Sequence, residues 1–117
     1  MKYTVAIALL LAIVSCSRSI DRVPKPNNLI PRDQMVSVVK EMMKLEAHVQ
    51  NQYGQVSMFY KVMEKSGDSL LTTFQLDRKT YEASMDYYGS RQDQMLEIYS
   101  ECLQQLNEEL GALEAEK

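Results

Sequence analysis

The chain has 117 residues, 45% of them hydrophobic and 25% charged, with 13 basic and 16 acidic side chains and a formal net charge of −3. That length suits one small domain and leaves no room for a second. An acidic balance argues against general nucleic-acid binding, which rests on neutralising phosphates with Lys and Arg, and no catalytic constellation stands out anywhere in the sequence.

The first element is a signal. Lys2 with the amino terminus forms a basic start, Thr4 to Val14 is apolar, and small Ser15 precedes Cys16, the order of a secretory signal peptide. A membrane span needs about 20 apolar residues to cross roughly 30 Å of hydrocarbon, and Arg18 ends the run too early. Ile13-Val14-Ser15-Cys16 resembles the lipobox of bacterial lipoproteins, in which the cysteine is acylated. The resemblance implies cleavage before Cys16, a thioether-linked diacylglycerol on its sulfur and an acylated amine. Two or more chains anchor a protein stably where one does not. Cys16 is followed by Ser17 and not by the aspartate that retains some lipoproteins in the inner membrane, so the inner leaflet of the outer membrane is expected, with the domain facing the periplasm. Residues 1–15 are then signal peptide, and the mature chain starts at Cys16. Lipidated Cys16 leaves Cys102 as the only thiol, without an intramolecular partner.

Residues 16–30 read as the lipidated cysteine and an extended tether. Pro24 and Pro26 favour polyproline geometry at about 3.1 Å per residue. Arg18, Arg22, Lys25 and Arg32 outnumber Asp21, and anionic head groups attract such cations by about 1 kcal/mol each near the surface; an ordinary solvated linker is the alternative. Val23, Leu29 and Ile30 are available to fold back onto the domain.

A helical domain follows over 31–113, with a short tail at 114–117. Pro31 suits the first position of a helix and Asp33 its first turn. At 100° per residue Met35, Val38, Val39, Met42, Leu45, Val49 and Tyr53 share one side of this long helix. Gly54 either breaks the helix or weakens it. Val56, Phe59, Val62 and Met63 resume a stripe that Gly67 is expected to stop. Asp68 or Ser69 would then cap a short segment carrying Leu70, Leu71 and Phe74. Asp77 would cap the next helix, with Tyr81, Ser84, Met85 and Tyr88 on one face and Gly89 at its end. Ser90, with Asp93 three residues on, is the expected cap of a last helix whose stripe is Met95, Ile98, Tyr99, Cys102, Leu103, Leu106, Leu110 and Leu113. Strand patterns are missing. The expected fold is all-α, a small bundle of about four helices with a long first and last one and shorter ones between.

Leu29-Ile30-Pro31 with Met35, then Leu45-Glu46-Ala47, Tyr81-x-x-Ser84-x-x-Tyr87-Tyr88 and Met95-x-x-Ile98-Tyr99 together resemble the bacterial lipoproteins grouped as domain of unknown function 4296, over about residues 23 to 107. Gln75-Leu76-Asp77 departs from the Gly-Ile/Leu-Asp turn of that pattern, and Ser90-Arg91-Gln92 lacks its proline. The resemblance implies a helical domain on a lipid anchor and supplies no activity.

Glu46 projects onto the apolar side of the first helix, between Met42, Leu45, Val49 and Tyr53. A buried carboxylate needs donors, and Ser84, Tyr87, Tyr88 and Tyr99 offer hydroxyls for a buried polar network; a ligand-contacting acid is the alternative. His48 stands alone on the polar face, where the spacing offers no metal site. Cys102, mid-stripe, suits core packing better than a reactive thiol. Met35, Met42, Met43, Met58, Met63, Met85 and Met95 serve as core filler or, together with tyrosines, line a groove. No cofactor is expected beyond the covalent lipid on Cys16. The expected role is a non-enzymatic interaction or accessory subunit whose partners are the bilayer and another membrane or periplasmic protein. A helical chaperone or carrier for extended peptide or lipid is the alternative.

Overall fold

A single helix, α1 (Arg32–Gln52), is the axis on which two of the other three helices pack. The computed structural model describes residue 1 and residues 21–117. Ile13, Val14, Ser15 and Cys16 lie outside the described residues. Four helices and no strand occur among the described residues, in the order α1, α2 (Val56–Thr73), α3 (Arg78–Gly89) and α4 (Gln92–Ala115), which is the all-α bundle expected.

Pro31 stands just outside α1. Its carbonyl accepts from the Met35 amide at 2.8 Å, so the fixed φ of proline launches the helix without contributing a turn to it. The helix stops at Gln52, and Gly54 lies in a true break before α2. α2 returns antiparallel: Gly67 faces Met42, and the Gln34 side-chain amide reaches the Phe74 carbonyl at the far end. α4 lies on the other flank of α1 and runs parallel to it, with Arg32 against Glu101, Val36 against Cys102 and Lys40 against Glu109. α2 and α4 do not touch each other; α3 bridges them, packing on both.

The core gathers Ile30, Met35, Val36, Val39, Tyr88, Ile98 and Cys102. Val36 escapes the single-stripe reading of α1 because this helix is flanked on two sides, and Val36 is the residue that meets α4. Val38, Val49 and Leu71 are buried as well, on the helices α1 and α2.

Gly67 does not end a helix. It is buried in the middle of α2, which runs on through Leu70 and Leu71 to Thr73. A glycine inside a helix costs about 1 kcal/mol relative to alanine, and packing of Leu71 offsets that cost. Asp68 and Ser69 therefore cap nothing: Asp68 pairs with Arg78 at 2.8 Å, and the Ser69 hydroxyl donates to the Lys65 carbonyl one turn back. Phe74 and Gln75 make the turn that ends α2, where the Leu76 amide donates to the Leu71 carbonyl and the Gln75 amide to the Thr72 carbonyl. That pair of bonds is a Schellman closure, and it places Gln75 in the left-handed region, with φ 59°.

Asp77 does cap α3: its carboxylate accepts from the Thr80 amide at 2.7 Å, and this bond holds the carboxyl below its usual range. α3 closes at Gly89 as expected. Ser90 does not cap α4. Its hydroxyl donates to the Tyr87 carbonyl at 2.8 Å and accepts from the Val23 amide at 3.1 Å, so the oxygen is engaged by α3 and the incoming chain, and Arg91 takes the cap position with no side-chain bond to the first turn of α4.

Candidate functional site

The chain ahead of α1 is pinned rather than freely extended. Ile30, 2% exposed, lies against α3, where its amide donates to Ser84 Oγ at 3.0 Å and its carbonyl accepts from the Tyr88 hydroxyl at 2.7 Å. Asn28 donates to Thr80 Oγ1, and the Val23 carbonyl accepts from Arg91. Arg91 also lies 3.8 Å over the Tyr87 ring, whose edge meets Tyr88 at 5.3 Å between centroids. An extended segment has no internal partners for its backbone, so burying Ile30 requires donors and acceptors from outside; Ser84 and Tyr88, one turn apart on α3, supply both. Burial pushes the Tyr88 hydroxyl above its usual range, which keeps it a donor.

The expected network around Glu46 takes a different form. Ser84 and Tyr88 are joined through the Ile30 backbone, Tyr87 stacks with Arg91, and Glu46 is exposed. The physical reason is the reach of α3: it shares the core cluster with Met35, Val36 and Val39 of α1, and Glu46 lies past that cluster. There Glu46 borders an open recess of about 270 Å³ with Gln50, Tyr53, Phe59 and Tyr60. Tyr81 and Tyr99 lie toward the same region: burial first, then the neighbouring Tyr99 and Glu46, raise the Tyr81 hydroxyl. A second groove of about 390 Å³ runs between α1, α2 and α3, floored by Met42, Met63, Leu71 and Tyr81 and edged by Arg78 with its partners Glu64 and Asp68.

His48 is exposed, and no cluster of three metal-ligating side chains occurs among the described residues. Cys102 is fully buried; its thiol donates to the Val36 carbonyl at 3.3 Å, and burial raises its pKa. Met43 packs on the core, whereas Met58 is exposed.

α4 carries the feature that a single stripe conceals. Ile98 and Cys102 turn into the core and Met95 packs against it. Leu96, Tyr99, Leu103, Leu110 and Leu113 are instead 68%, 39%, 53%, 56% and 60% exposed, with Leu106 half-buried between them. These six positions alternate three and four residues apart, the spacing of a coiled-coil seam. The expected stripe merges two adjoining apolar faces into one, and Leu96, which it omits, is where the outer face begins.

No helix among the described residues is long and apolar enough to cross a membrane. No curated protein and no solved structure matches the chain. The pattern of the Domain of unknown function (DUF4296) matches residues 26–111, from the pinned segment through all of α1, α2 and α3 and most of α4, and the chain belongs to that family.

Proposed function

We propose that the protein is a lipoprotein anchored through acylated Cys16, facing the periplasm from the outer membrane, and that its domain is a non-enzymatic interaction module. The observation that carries this reading is the outer face of α4, whose leucines are exposed while an adjoining face of the same helix serves the core. Contiguous apolar surface of this kind marks an interaction site. The pinned segment supports the anchor: with Val23 held at the α3–α4 junction, the stretch from Cys16 to Arg22 can reach about 20 Å toward a bilayer. The one thiol in the described domain is buried and held protonated, which suits packing and not nucleophilic chemistry.

Radiolabelled palmitate and membrane fractionation test the anchor. Cys16→Ser is expected to abolish acylation and membrane retention while leaving the helical signal of the domain unchanged; an unlabelled wild-type protein, or loss of the fold in the variant, refutes the anchor. A second reading, a carrier for extended peptide or lipid, is favoured by the Met42, Met63 and Tyr81 floor of the larger groove. Photocrosslinking from position 63 in cells separates the two: adducts with peptide or lipid there support the carrier.

A further inference from the structure

We infer that the outer face of α4 is a self-association seam that pairs with the same face of a second copy of this chain, antiparallel. The inference rests on reading that face as a docking surface and names its occupant. Over Leu96 to Leu113 the six seam residues extend about 26 Å along the helix at 1.5 Å per residue. Knobs-into-holes packing needs apolar side chains at this alternating spacing and flanks that do not repel.

The two flanks differ. On the side toward α1, Cys102 is buried and Glu109 is bound by Lys40 at 2.6 Å and by Lys44 at 2.5 Å, so that flank is occupied and its charge compensated. The outer flank presents Ser100 and Asn107, both uncharged, between Asp93 and Glu114. A parallel second copy would set Glu114 beside Glu109 of its neighbour, adding a second carboxylate where Lys40 and Lys44 are already engaged. An antiparallel copy instead brings Ser100 near the second copy's Asn107 and sets Leu96 against Leu113, Tyr99 against Leu110 and Leu103 against Leu106. At the ends of the seam Asp93 then approaches Glu114, and Lys117 beside them compensates one of the two charges. Opposed helix dipoles favour the same orientation. An anionic bilayer is a poor occupant, because Asp93 and Glu114 border the two ends of the seam.

The full-length lipoprotein in density-matched detergent is the material for sedimentation velocity. A dimer is expected, and Leu103→Glu with Leu110→Glu should weaken it about 100-fold or more with an unchanged far-ultraviolet spectrum, since both residues are exposed. Leu113→Glu, at the end of the helix, repeats the test should the double variant lose helicity. A monomer at all concentrations, or a dimer indifferent to these changes, overturns the inference. In oxidised membranes, Leu96→Cys mixed with Leu113→Cys should form a disulfide-linked dimer, whereas Leu96→Cys with itself should not; the reverse result overturns the antiparallel arrangement. A monomer whose double variant loses crosslinks to a different protein would refute self-association and leave the interaction-module reading standing.

Discussion

Gln75 occupies a backbone conformation that side chains resist. Its φ of 59° brings Cβ toward the following carbonyl, at about 1–2 kcal/mol for an L-residue other than glycine. The position exists because α2 must reverse into the cap of α3: the Leu76 amide reaches the Leu71 carbonyl, and the next residue, Asp77, receives the Thr80 amide. Glycine is the usual residue at this point of a Schellman turn. Gln75→Gly is therefore expected to raise stability by about 1 kcal/mol, less whatever the freer unfolded chain takes back. Urea unfolding of the two proteins measures it, and a less stable Gly variant would mean that the Gln75 side chain contributes more than its backbone costs.

At the level of elements, the decisive contact is between a segment without secondary structure and α3. Ser84 and Tyr88 hold the two backbone polar groups of one residue, Ile30, inside the core. Ser84→Ala leaves the Ile30 amide buried without an acceptor, at a cost of about 1–3 kcal/mol. Tyr88→Phe removes the donor to its carbonyl, and the double variant should cost less than the sum, because the segment releases as a unit. Exchange of the Ile30 amide reports that release directly; protection unchanged in Ser84→Ala would remove the contact from this role. The helices themselves are legible from periodicity, and so is the Asp77 cap. Three features are not. Gly67 reads as a stop because local propensity says nothing about the packing that carries α2 past it. Glu46 reads as buried because a helical wheel does not show how far α3 reaches. The α4 stripe reads as single because its apolar residues cover a broad arc, in which Ile98 and Tyr99, or Cys102 and Leu103, lie about 100° apart and fall on opposite sides of the boundary between core and solvent. The turn at Gln75 is visible as a departure from the family pattern, although its left-handed backbone emerges only in the structure.

For the molecule as a whole, charge ties α4 to α1 and α3 to α2, and this makes stability depend on pH at both ends of the scale. Hydrogen bonds from Lys40 and Lys44 hold the Glu109 carboxyl below its usual range, and the Thr80 amide does the same for Asp77. A carboxyl depressed in the folded state contributes stability above its unfolded value, and that contribution is lost as pH falls through the folded one. The reference values are 4.5 and 3.8, so the loss should set in below about pH 4.5 and deepen as acid increases. On the alkaline side the direction reverses. Lys44 is raised above 10.5 by Glu109 and Glu41, and Cys102 above 9.0 by burial. Each contributes fully below its unfolded value and loses the contribution as pH rises through the folded one, so unfolding should begin to ease above about pH 9. Glu109→Gln separates the contributions: it should flatten the acid limb, leave the Cys102 part of the alkaline limb in place, and loosen the α1–α4 contact because Lys40 loses its charged partner and Lys44 keeps only Glu41, on its own helix. Thermal unfolding across the pH range checks this, and an acid limb of the same steepness in Glu109→Gln would assign the acid sensitivity to other carboxylates.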